Sequence, residues 1–581
     1  MCGLIFENNL NSLAAIYPEQ AERLRGAVAE PGLSPESNES CEEYANAEIK
    51  RCWNAENELH VVDRFASGVL ARRLFDHIQL ESLKHERNCR LLLIEDRLDA
   101  ARIAFEQEDW RTIIDSEICI IVIGQSLNHD LKKLLHRYPG ISGADLIVYS
   151  SDPQNHKERL NIIKKLFSHY RERLDQYMQK MLARYSSIPR PPYAQAIRFF
   201  ESGHNYLQDA SVQAFRRLGY NADRLHWKNP LYRFVRSTAW IEEFKNQPFD
   251  TVFFLNSTPN RFSSHDALAQ APCQKVCWFV DNPRRYAFDR ADYDGCDVIG
   301  VFDKTYIPFL QERCDAQVME VRTGYGIDPS LARPNDEFSD IDIAFVGELG
   351  SSGFSVLEKG FAQLDSRLID AANEILKSMD ILNSLYLAPL AEDVFGRLGW
   401  DYRGSLVEFL ENKAATLRRR IYLDALPDLG LVVFGGEEWK NDPAAGRLRA
   451  CYGGKRIDYH KELSSLYASV KININIFHVQ CVTAPNPRVY DVLASGGFLM
   501  TTDAPGLADE FELGKDLIVF RSPEELVELA RYYLEHPKER EEIAMHGRRS
   551  ALASCGYHDR MQNFLTSKTQ SAGDGYVYLC R

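Results

Sequence analysis

The sequence predicts an α/β protein built on parallel sheets, and three observations carry that prediction. From residue 89 onward, short apolar runs of strand length alternate with amphipathic stretches. The alternation restarts twice, near residues 191 and 336, each time after a stretch rich in proline or glycine. The chain has 581 residues, far beyond the roughly 250 to 300 at which one hydrophobic core stops growing, so several domains are expected. The division that follows is an N-terminal helical and α/β module over 1–190, a first Rossmann-like domain over 191–335 and a second over 336–581.

Composition excludes several classes. Hydrophobic residues make up 45% and charged residues 26%, the balance of a folded globular chain. A formal charge of -14 argues against a generally basic nucleic-acid binder. The start, MCGLIFENNLNSLAAIYPEQ, has no basic region ahead of its apolar residues, and no window approaches ~20 apolar residues, so neither a signal peptide nor a membrane span is expected. The thirteen cysteines contain no C-x-x-C pair, and Cys273 and Cys277 lack the second ligand pair that zinc needs. Reduced thiols in a cytoplasmic protein are expected.

The first eighty residues read as mostly helical, interrupted by EPGLSPESNESCEE at 30–43, which reads as a mobile loop. CRLLLIED, DAARIAFEQ, EICIIVIGQS, HDLKKLLHRY and ADLIVYSS then suggest βαβαβ. A charged helix, HKERLNIIKKLFSHYRERLDQYMQKMLARY, follows, and the prolines of SSIPRPPY end it. The second unit opens with the strand and turn AIRFFESGHNY and the helix DASVQAFRRLGY, continues through DTVFFLN, KVCWFV and DVIGVF, and closes at the crossing segment RTGYGIDPSLARP. The third runs from DIDIAFVGELG through LGLVVFGG, KININIF, FLMTT and DLIVF. SPEELVELARYYLEHP, with a Ser N-cap and Glu at the capping-box position, is a helix near its end. Paired Rossmann-like domains bind ligands outside the carboxyl ends of their strands.

The stretch NPRVYDVLASGG, 486–497, carries the most chemistry. Asn486 suits an N-cap and Pro487 the first helical position, so the free N–H groups and positive dipole end of a helix are set there. Arg488 adds a fork for phosphate oxygens, and Asp491, three residues on along the same face, suits the vicinal hydroxyls of a ribose. Gly496 and Gly497 end the helix and let the chain turn sharply. The same residues also read as an i,i+3 ion pair with an ordinary glycine cap; their position after KININIF favours the ligand reading.

The chain resembles glycosyltransferases of the GT-B fold, and more closely the spore-maturation CgeB-like group. The resembling pieces are WFVDNP (278–283), DIAFVG (342–347), VVFGGEEWK (432–440), the SLYASVKININI run, NPRVYDVLASGGFLMTTDAPGLADEF and the tail EELVELARYYLEHPKEREEIAMHGR. They cover roughly 193–565. The resemblance implies a nucleotide-sugar donor in the C-terminal domain, an acceptor in the middle domain, and no metal. Two departures stand out. Asp491 and Thr483 occupy places where the wider group often carries acidic residues eight positions apart, and Cys555, Gly556 and Tyr557 replace a His-Thr-Tyr run, with Arg560 still in place.

Metal-independent departure of a diphosphate needs cations and helix N-termini, so Arg488 leads, with Lys440, Lys455 and Arg456 in reserve. Gly347 and Gly435, at strand ends in the resembling pieces, Asn486 and Gly496 complete the expected donor site with Asp491. An inverting enzyme also needs a base, and His204 and Asp281 are the candidates. The triplets Asp292-Tyr293-Asp294 and Asp340-Ile341-Asp342 are short motifs that an acidic chain carries by chance, and no metal site is assigned to them. GELGSSG at 347–353 has the wrong spacing for a dinucleotide fingerprint. The expected activity is sugar transfer from a nucleotide diphosphate to a hydroxyl on a surface glycan or protein, with the nucleotide sugar as co-substrate and no other cofactor. A sugar-nucleotide epimerase and a catalytically silent binding module are the rivals; no nucleic-acid partner is expected and the oligomeric state is left open.

Overall fold

The apolar runs become strands buried on both faces, as parallel sheets require. In this computed structural model the described residues are 2–27, 38–53, 59–65, 68–85, 89–116, 118–150, 156–186, 196–200, 206–225, 249–259, 273–382 and 386–570. They fall into two units, one holding residues up to 186 and the other 196–224, 249–259 and 273 onward.

The first unit carries a sheet of β1 (Leu59–Asp63), β2 (Arg90–Glu95), β3 (Cys119–Ile123) and β4 (Leu146–Ser150), ordered β3-β2-β1-β4 with parallel pairings. Three of these strands were expected. The fourth, β1, is one strand among the helices of the first eighty residues, which were expected to be mostly helical and are, and it is central: β4 pairs with it and not with β3. Polar letters hid it, because His60 and Asp63 interrupt its apolar pattern. Both find partners inside the unit. His60 meets the Tyr149 hydroxyl at 3.0 Å. Asp63 accepts two bonds of 2.6 Å from Arg159 on the helix His156–Ser186. The supposed loop at 30–43 is corrected in part, since a helix begins at Asn38; residues 30–37 lie outside the described ones.

The second unit holds two sheets. One comprises β5 (Ala196–Phe200), β6 (Asn221–Leu225), β7 (Thr251–Leu255), β8 (Gln274–Phe279), β9 (Val298–Val301) and β10 (Gln317–Glu320), in the order β10-β9-β8-β7-β5-β6. The sequence reading missed β6 and β10 because both are edge strands with polar residues. The other comprises β11 (Ile343–Val346), β12 (Leu431–Phe434), β13 (Ile472–Asn475), β14 (Leu499–Thr502) and β15 (Ile518–Phe520), ordered β12-β11-β13-β14-β15, all parallel. Its order reverses between β11 and β13, the kind of position at which open α/β sheets bind ligands beyond the carboxyl ends of their strands. The fold is thus α/β with the two Rossmann-like sheets in tandem.

The last helix, Tyr557–Gln570, does not stay with the C-terminal sheet. Tyr557 and Met561 are buried among Ile197, Phe199, Phe215, Phe253 and Trp278 of the middle sheet's core, so the expected 336–581 domain gives its final helix to its neighbour. Among the described residues, no helix is long and apolar enough to cross a membrane.

Candidate active site

The site is built around one buried asparagine. Asn475 ends β13 with no exposed surface, so its amide must find partners inside the protein. Its Nδ2 donates to Thr501 Oγ1 at 2.9 Å, which fixes the amide. Its Oδ1 then accepts from Arg488 Nη1 at 2.8 Å and from Asn486 Nδ2 at 3.1 Å. A strand end, a helix N-cap and a guanidinium therefore meet at one oxygen.

The helix is Pro487–Ser495, with Pro487 at its first position as expected. Asn486 is its N-cap by backbone geometry (φ -82, ψ 162), but its side chain makes no capping bond. That corrects the expected cap: Asn475 has taken the side chain, leaving Asn486 Oδ1 buried with no hydrogen-bond partner. The Arg488 guanidinium lies 4.9 Å over the Phe345 ring of β11. Gly347 follows that strand, and a Cβ there would stand 2.7 Å from Arg488 Nη2, so only glycine lets the guanidinium settle at this strand end. Gly435, after β12, is close by: its Cβ would meet the Gly347 carbonyl oxygen at 2.3 Å. Arg488, Asn486, Gly347 and Gly435 are thus brought together where the strand order reverses.

A second cation was not foreseen. Arg419, on the helix Gly404–Leu423, donates through Nη1 to the carbonyls of Glu348 (3.1 Å) and Leu349 (3.3 Å) in the loop after β11, while its buried Nε has no partner. Burial, and then repulsion from Arg488, pull its pKa down to about 10. Among the described residues neither arginine forms an ion pair. His478, three residues beyond β13, is held well below its ordinary value by burial and by Arg285, Arg419 and Arg418, and so stays neutral. Two unpaired cations and a neutral imidazole suit an anion with several oxygens.

Asp491 sits otherwise than expected. It is 2% exposed, and its Oδ1 accepts from the backbone N–H of Gly326 (2.9 Å) and Ile327 (3.4 Å), in the crossing segment between the two sheets. The Tyr459 hydroxyl, 3.0 Å from Oδ2, completes the set. Burial raises the Asp491 pKa to about 7 against the opposing pull of these hydrogen bonds and of Arg488. In this conformation the carboxylate faces the chain's own backbone. Thr483 uses its hydroxyl and its N–H to hold Asp303, at 2.6 Å each.

The other expected residues are scattered. Asp281, after β8, accepts from Asn256 Nδ2 (2.7 Å), Gln480 Nε2 (2.7 Å) and the Tyr286 hydroxyl (3.1 Å), so both its oxygens are engaged. Lys455 spends its charge on Glu337 and Glu462, at 2.7 and 2.8 Å. Arg456 pairs with Glu348 at 2.8 Å. Lys440 is exposed on the short helix Glu438–Asn441. Gly496 closes the far end of the Arg488 helix with φ 79, a turn role that places it away from the cluster at the helix start. His204 lies outside the described residues. Asp292 serves in the capping box of the turn Arg290–Tyr293 and Asp342 pairs with Lys471 at 2.6 Å. Among the described residues no group of three or more His, Cys, Asp or Glu is placed to hold a metal ion.

Fold and site together define an α/β protein of the tandem Rossmann type with a cluster of arginine, asparagine and glycine at the strand-order reversal of its C-terminal sheet. Residues 418–566, which include Arg419, Asn475 and Arg488, match the family described as Glycosyl transferase-like. Solved structures similar to the chain include Anabaena HepE in complex with UDP and glucose, at 11% identity and a TM-score of 0.40 over 65% of this chain and 99% of that one. Sucrose-phosphate synthase from Thermosynechococcus elongatus is 11% identical, with a TM-score of 0.39 over 65% and 100% of the two chains. WaaG, described as a glycosyltransferase involved in lipopolysaccharide biosynthesis, is 13% identical, with a TM-score of 0.35 over 65% and 100%. None of the curated protein sequences matches this chain.

Proposed function

We propose that the protein is a metal-independent GT-B glycosyltransferase of the CgeB-like group, moving a sugar from a nucleotide diphosphate to a hydroxyl acceptor on a glycan or protein. The observation that carries the reading is the Arg488 guanidinium, held by Asn475 at the strand-order reversal with no carboxylate paired to it among the described residues. A buried or half-buried cation without a counter-ion is costly, and a diphosphate supplies the missing charge. Arg488 and Arg419 then stabilise the negative charge that develops on the departing diphosphate, which is the electrostatic work a metal ion does elsewhere. The family match over 418–566 supports the same reading, because it spans both arginines. Asp281 and His204 are the proposed bases for the acceptor hydroxyl; Asp281 must first release at least one of its three donors.

The test is incubation of the full chain with a panel of nucleotide-diphosphate sugars, with and without EDTA. Donor hydrolysis or transfer that survives EDTA is the expected result. Conversion of the donor to an isomer with no acceptor present assigns an epimerase, and thermal stabilisation by nucleotide with no turnover assigns a silent binding module.

A further inference from the structure

We propose that Cys277 and Cys296 form a dithiol that closes reversibly to a disulfide under peroxide, a modification site in the middle sheet that is independent of the sugar-transfer reading. Cys277 lies in β8 and is fully buried; Cys296 lies in the turn that leads into β9 and is half-buried. Their sulfurs are 3.3 Å apart as free thiols, so bond formation needs an approach of roughly an ångström and no rearrangement of the sheet. The turn is held in place. Lys275 N–H donates to Asp297 Oδ2 at 2.7 Å, Asp297 N–H donates to the Lys275 carbonyl at 3.0 Å, and Cys296 N–H donates to the Tyr293 carbonyl at 3.0 Å. The two sulfurs are therefore presented to each other by a fixed backbone, as a preformed pair.

The unequal burial assigns the order of events. Peroxide reaches the half-buried Cys296 first, whose sulfur attacks one peroxide oxygen; the O–O bond breaks, Cys296 becomes a sulfenic acid, and the second oxygen leaves as water with the thiol proton. The Cys277 sulfur then attacks the Cys296 sulfur. The S–O bond breaks, the S–S bond forms, and the hydroxyl departs as a second water with the Cys277 proton. Two thiols and one peroxide give one disulfide and two waters. Cys277 suits the second role and not the first by position, since it has no surface for peroxide to reach while its sulfur already lies against that of Cys296. Cys314 interacts electrostatically with both sulfurs but donates its own thiol to the Leu310 carbonyl at 3.2 Å, which leaves the 277–296 pair as the one in contact.

The location gives the bond a consequence. The chain leaving β8 carries Asp281, Asn282 and Arg285, which bind Gln480 and Glu411 next to the C-terminal sheet. A staple between β8 and the following turn stiffens the strand that presents those contacts.

The experiment treats the full-length protein with equimolar hydrogen peroxide, alkylates free thiols after unfolding and maps tryptic peptides without reduction. A species joining peptides 276–284 and 291–304, absent before oxidation and lost with dithiothreitol, is the expected result. In Cys277→Ser the Cys296 sulfenic acid should persist and be trapped by dimedone, with at least a tenfold rise in adduct over the wild type. The proposal is overturned if both residues stay alkylatable while Cys41, Cys52 or Cys451 oxidises, or if Cys296 is found linked to Cys314. The wild-type map decides the matter even if the serine variant folds poorly.

Discussion

Replacing Asp491 with asparagine should stabilise the protein above neutral pH and leave it unchanged near pH 4. The carboxyl is 2% exposed and its pKa is raised from an ordinary 3.8 to about 7, first by burial. Between those two values the folded chain holds a proton that the unfolded chain has lost, so stability falls as pH rises through that window. At about 1.4 kcal/mol per pH unit, the accumulated penalty by pH 7 to 8 is on the order of 4 kcal/mol, the upper end of what one side chain contributes. Asparagine keeps the acceptor for the Gly326 and Ile327 N–H groups and can donate to the Tyr459 hydroxyl, so the hydrogen bonds survive while the titration disappears. The assay is the melting temperature of wild type and Asp491→Asn from pH 4 to 8.5, read as a difference. That difference cancels other buried carboxyls with raised values, such as Glu95 and Glu411. It should be near zero at pH 4, grow to several degrees by pH 7, and level off beyond. Parallel profiles would refute the reasoning and mean that water or local opening keeps Asp491 an ordinary carboxylate.

The remaining predictions concern the cluster around Arg488. Arg488→Ala should lower turnover on the order of a hundredfold or more and raise the donor KM less, with Arg488→Lys still clearly impaired because it keeps a charge but loses the fork; near-normal turnover in both would move the catalytic assignment away from this helix. Gly347→Ala and Gly435→Ala should separate function from stability. At Gly347 the new methyl meets the far end of the long Arg488 side chain, which can yield at the expense of its bond to Asn475, so donor turnover falls while the melting temperature holds; at Gly435 it meets the Gly347 backbone carbonyl, so stability falls by about 1 to 3 kcal/mol. Equal loss of stability in both would remove the argument that Gly347 makes room for the guanidinium.

What was legible in the sequence follows burial. Apolar runs such as CIIVI and IAFV announce strands that need no polar partner, and they were read correctly as β3 and β11. The strand LHVVD was missed because its polar residues find partners in Tyr149 and Arg159, which stand 89 and 96 positions further along the chain. Site residues divide in the same way. Arg488 was visible because a local pattern, Asn-Pro-Arg after a strand, sets a helix start. Arg419 was not, since in LRRRIYL it looks like one charge of a solvated face, and only the fold turns it toward Glu348 and Leu349. The one local hint of Asn475 was that KININIF alternates its isoleucines with two asparagines, Asn473 and Asn475, where a buried amide has to find partners.

Asp491 and Arg488 were expected to share one ligand because they share one helix face; instead they face different partners, and that couples the site to the crossing between the sheets. The outgoing segment 322–328 runs beside the returning chain at 555–557: Tyr325 N–H donates to the Cys555 carbonyl at 3.1 Å, and Arg560 Nε donates to the Thr323 carbonyl at 3.0 Å. Gly324 has no room for a side chain there, since its Cβ would stand 2.4 Å from the Cys555 carbonyl oxygen. Both crossings therefore move as one strip, and Asp491 pins that strip to the helix Pro487–Ser495 through Gly326. A shift of the crossing that displaces Gly326 must either break the Asp491 hydrogen bonds or drag the helix whose first turn carries Arg488. Breaking them strands a buried charge, which is costly above pH 7 and much less so when the carboxyl is protonated. The orientation of the guanidinium is thus tied to the crossing most tightly in the neutral to alkaline range, where the carboxylate is charged and its bonds to Gly326 and Ile327 are strongest.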